Sequence, residues 1–291
     1  MSLEAPVGSG TLWVVATPIG NLQDLSARAA DLLASVPVIA AEDTRVSARL
    51  LGHRAQPPQM VALNEHTERR QIGRLLATLG EGHDVALLSD AGTPLISDPG
   101  FRLVRATHEA GFRVSPVPGP CAAIAGLSVA GLASDRFWFE GFLPAKTAAR
   151  RSRLQSLATL PVTLIVYVPA RDLVAVLEDC IAVLGADRIA ALGREMTKLH
   201  ETVHRAPLAD LAAFCRDDPD QLRGEAILLL SGCRDDALAA VDPLALAREL
   251  AGELAPSRAA GILARLTGLS RKQAFALIER IRGDERSPAD G

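Results

Sequence analysis

The sequence predicts an α/β protein of two αβα domains followed by a helical extension, and three observations carry that expectation. Short apolar runs alternate with amphipathic stretches from residue 11 to about residue 234, the pattern of strands interleaved with helices. Glycine- and proline-rich segments follow several of the strand-like runs. Beyond residue 235 only helical periodicity remains.

The elements support this in order. Residues 1–10 read as a flexible tail, and 11–16 as a buried strand. Ser26 can cap a helix reaching Ser35. Residues 37–41 form a second strand, with a short helix near 44–51. Residues 60–63 are strand-like, and 67–79 carry helical spacing at Ile72, Leu75, Leu76 and Leu79. After a strand at 84–88, Asp98 followed by Pro99 reads as the cap and first-turn proline of the next helix. A strand at 112–117 completes a first domain over residues 11–120. Such alternation predicts a mostly parallel sheet covered on both faces, with ligands bound at the carboxyl ends of its strands. The pattern resumes with strands at 137–141, 162–168, 188–193 and 226–230 and helices at 120–129, 145–160, 173–184 and 208–216. These define a second α/β domain over residues 121–234. Residues 235–291 form the helical extension, with breaks at Pro256 and Gly268.

Composition narrows the function classes. A 48% hydrophobic content over 291 residues supplies buried cores and excludes a disordered chain. Aromatics at 3% leave few platforms for stacking unpaired bases. The net charge of −3 provides no global field that draws nucleic acid, so any such contact must come from local patches. Cys121, Cys180, Cys215 and Cys233 are widely spaced, with no C-x-x-C pair and no histidine at ligand spacing. Free thiols in a reducing compartment are expected, and neither disulfides nor a metal site. No secretory signal pattern and no apolar run of spanning length occurs, so a cytoplasmic place away from membranes is expected.

The densest candidate for chemistry is the 89–100 loop, Ser89-Asp90-Ala91-Gly92-Thr93-Pro94-Leu95-Ile96-Ser97-Asp98-Pro99-Gly100. Glycines let a ligand approach the main chain and prolines stiffen it, so backbone groups can read a small polar ligand. An ordinary strand-to-helix turn is the alternative, which this density disfavours. Thr17-Pro18-Ile19-Gly20-Asn21 stands where a dinucleotide fingerprint would be, but G-x-G-x-x-G is missing there and no Walker A motif occurs anywhere. That argues against NAD, FAD and ATP. Pro118-Gly119-Pro120-Cys121 is a third loop of this kind, so three would share one sheet edge. Glu42-Asp43-Thr44-Arg45, at the end of the second strand, can either cap the next helix or project into the cleft. Glu195-Met196-Thr197-Lys198 holds the equivalent place in the second domain. His66 alone reads as structural. Two basic segments stand against the acidic total: 141–155, with Lys146, Arg150, Arg151 and Arg153 and no acid, and 257–286, with seven basic and three acidic residues. Such runs usually form a solvated face, yet here they are also the places to meet phosphates. Residues 258–282 have the outline of a helix-turn-helix around Thr267-Gly268-Leu269-Ser270.

Several of these runs together resemble a known family. They are Thr17-Pro18-Ile19-Gly20-Asn21-Leu22, Ala40-Ala41-Glu42-Asp43-Thr44-Arg45, the 89–100 loop, and Val117-Pro118-Gly119-Pro120-Cys121-Ala122-Ala123. They resemble the tetrapyrrole-methylase-like superfamily. Within it, Ser134-Asp135-Arg136-Phe137, Glu140-Gly141-Phe142-Leu143-Pro144-Ala145-Lys146 and Arg194-Glu195-Met196-Thr197-Lys198 are similar to the bacterial small-subunit ribosomal RNA cytidine 2′-O-methyltransferases of subfamily I. The resemblance implies S-adenosylmethionine as donor, held in an interdomain cleft, a homodimer, and a cytidine ribose in the decoding region of 16S ribosomal RNA as substrate. It places the donor on Pro18, Ile19, Ala91, Gly92, Thr93, Ile96, Cys121, Ala122, Val168 and Met196. Two runs depart from the family. Val168-Pro169-Ala170-Arg171 lacks the acidic residue usual after Tyr167, and Asn64-Glu65-His66-Thr67-Glu68 has Thr67 where asparagine is usual.

A ribose hydroxyl is a poor nucleophile, so a base that takes its proton is expected, with Glu42, Asp43 and Glu195 as candidates. Arg45 and Lys198 would hold neighbouring phosphates, and Lys146, Arg150 and Arg151 would grip the RNA backbone. The alternatives are a tetrapyrrole methyltransferase of the same fold and a noncatalytic RNA-binding assembly factor.

Overall fold

The computed structural model describes residues 8–51, 56–64, 67–233 and 243–285. His66, Glu65 and most of the expected tail lie outside the described residues. Gly10 is already buried, its N–H donating to the Leu79 carbonyl at 2.8 Å.

The first sheet comprises β1 (Thr11–Val15), β2 (Val38–Ala41), β3 (Gln59–Ala62), β4 (Val85–Leu88) and β5 (Arg113–Val117), in the order β3-β2-β4-β1-β5. Every pairing is parallel. All the loops that leave carboxyl ends therefore share one edge. The near-continuous apolar character of β2 and β4, buried at every position, is what a sheet covered on both faces requires. Alternate residues face opposite ways. Val15, Ile39, Ala86 and Leu88 pack under Ala29 and Leu33 of α1 (Ala27–Ser35). Leu12, Ala40, Val61 and Leu87 pack under Leu75 and Leu79 of α3 (Glu68–Gly80) and Leu103 of α4 (Phe101–Glu109). Truncating one of these fully buried leucines to alanine costs about 2–5 kcal/mol. Ser26 caps α1 as the sequence suggests, accepting the Ala29 N–H. The short α2 (Thr44–Ser47) is capped by Asp43.

One expectation fails at α4. Its first residue is Phe101 and its cap position is Gly100, so Asp98 does not cap it.

The second sheet holds β6 (Phe137–Phe142), β7 (Thr163–Pro169), β8 (Ile189–Arg194), β9 (Thr202–Pro207) and β10 (Glu225–Leu230), in the order β6-β7-β10-β8-β9. It is mixed: β6 and β7 are parallel, while β10 runs antiparallel to β7 and β8, and β9 antiparallel to β8. Strand β9 escapes the sequence reading because it is a polar edge strand ending in Pro207, with no apolar run to mark it. Helix α5 (Ala122–Val129) buries Ala123 and Leu127 against Ile165, Ala191, Ile227 and Leu229. Helices α6 (Thr147–Leu157), α7 (Leu173–Leu184) and α8 (Leu208–Asp217) follow in the chain order expected.

Both sheets belong to one compact unit, running to Leu154 and again over Thr163–Ser231. The second unit takes Gln155–Val162 together with the chain from Gly232 onward. Within it the Cys233 N–H bonds the Leu160 carbonyl at 2.8 Å. Its core is α9 (Pro243–Glu253), α10 (Pro256–Thr267) and α11 (Arg271–Glu285), packed through Ala247, Ala251, Ala260, Leu263, Ala274 and Ile278. Pro256 opens α10 and the left-handed Gly268 closes it, where the sequence marks breaks. Among the described residues no helix is long and apolar enough to cross a membrane.

Candidate active site

Three glycine-rich loops are stitched together at the carboxyl edge of the first sheet. Thr17 and Gly92 exchange backbone hydrogen bonds of 2.8 and 3.1 Å. The Thr17 hydroxyl donates to the Ser89 and Gly92 carbonyls, and the Thr93 hydroxyl to the Pro120 carbonyl at 2.9 Å. A fourth loop joins them, because the Asp43 N–H donates to Asp90 Oδ1 at 3.0 Å. These bonds fix main-chain groups around a cavity of about 510 Å³, within the size range of small-molecule sites.

Its other wall comes from the second sheet. Val168 and Pro169 at the end of β7, the 195–198 loop after β8, and Glu225–Ile227 in β10 line it. Two glycines set how closely the halves approach. A side chain at Gly20 would collide with Lys198 and Thr197. At Gly141, where β6 bulges and φ is +71°, a Cβ would lie 2.8 Å from Ser97 Oγ. The backbone is strained at the same place. Among the described residues, Leu95, Ser97, Glu195 and Thr197 are the non-glycine positions with positive φ, and all four belong to these two loops.

Of the residues expected to hold the donor, Ile19, Ala91, Gly92, Thr93, Ile96, Cys121, Ala122, Val168 and Met196 line the cavity. Pro18 does not; it is buried. Glu42 and Glu195 line it as well, whereas Asp43 lies off it. Asp43 caps α2 and pairs with Arg45 at 2.6 Å, and the Arg45 hydrogen bond holds its carboxyl well below the usual carboxylate range. Burial alone would raise the Glu195 carboxyl, but hydrogen bonds from Lys198 (2.8 Å) and the Glu225 N–H (3.0 Å) outweigh it and hold it low. Lys198 is also bound to Glu225 at 3.0 Å, so its ammonium faces carboxylates before it faces any phosphate.

The basic segment around α6 differs from its sequence reading. Arg150 is 6% exposed, with Nη2 2.6 Å from Asp179, and bonds the Ala145 carbonyl as well. It is an internal strut and cannot grip an RNA backbone. Arg151 shares Asp179, and Arg153 is held by Glu140 at 2.6 Å. Lys146 is exposed. Arg45, Lys146, Arg150 and Arg151 all lie off the cavity lining, while Lys198 is on it.

The cavity also holds side chains outside the nominated donor contacts and carboxylates. Arg171, 82% exposed in side chain, lies at its edge in the stretch that departs from the family. Tyr167, edge-on to Phe139 and Phe142, is pushed up to about 12 by burial and stays neutral. Asp98 faces the cavity and is pushed up to about 6 by burial, against a hydrogen bond from Ser89 and with a further push from Asp90. The signal for Asp98 lay in Gly100, which can hold the cap position and leave the aspartate free.

The cavity's chemistry suits S-adenosylmethionine. Ile19, Ile96, Val168, Met196 and Ile227 offer apolar surface to a flat heterocycle, while Asp90 offers negative charge to a cationic group.

Two unlike sheets whose loops close over one cavity, without a phosphate fingerprint, define a tetrapyrrole-methylase type of α/β enzyme. The chain belongs to the tetrapyrrole (corrin/porphyrin) methylase family, whose model matches residues 11–212. Within that family it groups with proteins named ribosomal RNA small subunit methyltransferase I. It is 46% identical over 274 residues to that of Escherichia coli O157:H7, covering 94% of this chain and 96% of the relative. It is 49% identical over 269 residues to that of Pseudomonas aeruginosa, covering 91% and 95%. Among solved structures, the methyltransferase CobJ matches with a TM-score of 0.58 at 18% identity, over 77% of this chain and 95% of that one. Uroporphyrin-III C-methyl transferase from Thermus thermophilus, complexed with S-adenyl homocysteine, matches with a TM-score of 0.52 at 22% identity, over 76% and 97%.

Proposed function

We infer that the protein transfers a methyl group from S-adenosylmethionine to the 2′-hydroxyl of a cytidine in the decoding region of 16S ribosomal RNA. The observation that carries this is the 46% identity, over 94% of the chain, to a ribosomal RNA small subunit methyltransferase I, in a chain whose loops build a donor-sized cavity. The bound donor would supply a methyl carbon already activated by its positive sulfur. The protein's tasks are then to align the hydroxyl, keep water out and manage one proton. Ile19, Ala91, Gly92, Thr93, Ile96, Cys121, Ala122, Val168 and Met196 are our proposed donor contacts. Glu42 and Glu195 are the nominated carboxylates that remain at the cavity.

The substrate is the small ribosomal subunit, and we place the reaction in the cytoplasm, where free thiols such as Cys180 stay reduced. RNA grip falls to Lys146, Arg171 and the helical extension. In that extension Arg258, Arg265, Arg271 and Lys272 are exposed and make no ion pair among the described residues. Arg271 and Lys272 occupy the first turn of α11, where the helix dipole disfavours cations, so an anionic partner explains them better than helix stability does. A homodimer completes the reading.

Ribosomal RNA from a strain deleted for the gene tests it. One cytidine ribose should lose its methyl and regain it on complementation, and the doubly charge-reversed Arg271→Glu/Lys272→Glu form should restore it more slowly. An unchanged ribose methylation map would refute the reading.

A further inference from the structure

The 89–100 loop runs into α4, and that helix is capped from outside the loop. Glu68 of α3 is buried, and its Oε1 accepts the N–H groups of Arg102 (2.9 Å) and Leu103 (3.2 Å) in the first turn of α4. These are orphan donors that a capping side chain at the loop's end would otherwise fill. Asp98 is thereby released from the task its sequence position suggests, and it lines the cavity instead.

Its surroundings differ from those of Asp43 and Glu195. Among the described residues it makes no ion pair. The Ser89 hydroxyl, which donates to the Gly92 carbonyl at 3.1 Å, also stands close enough to favour its ionised form, and Asp90 stands near it on the same loop. From β7, Tyr167 lines the same cavity, its phenol beside Cys121 and the Ala123 N–H. A carboxylate with a neutral hydroxyl partner and a like charge nearby can accept a proton near neutral pH. Asp43, bound to Arg45, and Glu195, bound to Lys198, would each have to give up a cation to do so.

We propose that Asp98 is the catalytic base of this site and that Glu68 is the positioning residue that frees it, a proposal that rests on the ribose-methylation reading above. The hydroxyl oxygen bonds to the methyl carbon as the carbon–sulfur bond breaks, and that bond's electron pair stays on sulfur. The hydroxyl proton passes to Asp98, which becomes a neutral carboxylic acid. One positive and one negative charge disappear together, a change that surroundings less polar than water favour.

The test uses the full chain and purified small subunits lacking the methyl group. Asp98→Asn keeps shape and removes basicity. It should lower the single-turnover rate by about 10²–10⁴-fold while donor binding by calorimetry changes only a few-fold. The wild-type rate should rise with pH through a midpoint near 6, matched by a carboxyl carbon resonance of the unliganded protein that the variant lacks. Ser89→Ala removes a hydroxyl that favours the ionised form, so it should move both midpoints upward. Glu68→Ala should shift the profile and slow the rate, and Glu68→Gln, which keeps a carbonyl acceptor, should restore most of both. An active wild type beside an equally fast Asp98→Asn overturns the Asp98 assignment alone, as does a midpoint that Ser89→Ala leaves in place. A wild type that transfers no methyl to the RNA overturns the underlying reading and the proposal with it.

Discussion

The 89–100 and 195–198 loops face each other across one cavity and are built alike. Each forces two non-glycine residues into the left-handed region, and each presents a carboxyl group. Their electrostatics diverge. Glu195 sits against Lys198 and the Glu225 N–H and is held ionised, whereas Asp98 meets a hydroxyl and another carboxylate and is pushed up to about 6. Two acidic groups in one site thus acquire different roles from their neighbours alone. The first anchors the wall that carries Met196 and Lys198, and the second is available to exchange a proton.

The largest effect expected from this contrast is catalytic. Asp98→Asn should cost about 10²–10⁴-fold in single-turnover rate, and Glu195→Gln only about tenfold, through loosening of Lys198. Equal losses in the two variants would erase the distinction. A middle-sized effect should come from Gly141→Ala, which places a Cβ against Ser97 Oγ at a positive φ. Strain of about 1–3 kcal/mol should displace the 89–100 loop and weaken donor binding about tenfold by calorimetry. Binding as tight as wild type would show that the loop does not depend on β6.

The smallest effect is on stability. The folded state raises the Asp98 pKa above its unfolded value of 3.8, so ionising this group disfavours folding as pH rises through about 6. Asp98→Asn should therefore stabilise the protein at pH 8 and hardly at pH 4. Discounted for solvent screening at this half-buried position, the gain is about 1 kcal/mol, a few degrees in Tm. Thermal unfolding at both pH values checks the sign.

Much of this was legible in the residues. All five strands of the first sheet follow from apolar runs of the right length, and three glycine-rich loops after them point to one edge. What stayed hidden needed partners distant in sequence. The polar edge strand β9 has no apolar pattern to announce it. Arg150 looked like a surface cation because Asp179, its buried partner, is 29 residues away. The cations of residues 258–272 carry the same sequence signal yet face solvent. Asp98 read as a helix cap because nothing local shows that Glu68, 34 residues from Arg102, does the capping. Periodicity reveals which face is buried, but not which charge finds a counterpart.

On this reading the cavity methylates a ribose of the small-subunit RNA. Purified protein given label-bearing S-adenosylmethionine and subunits from the deletion strain tests it most directly. Label should appear on one cytidine, at a linkage that resists alkaline cleavage because its 2′-oxygen is blocked. Label on a base, or none on the RNA, would contradict it.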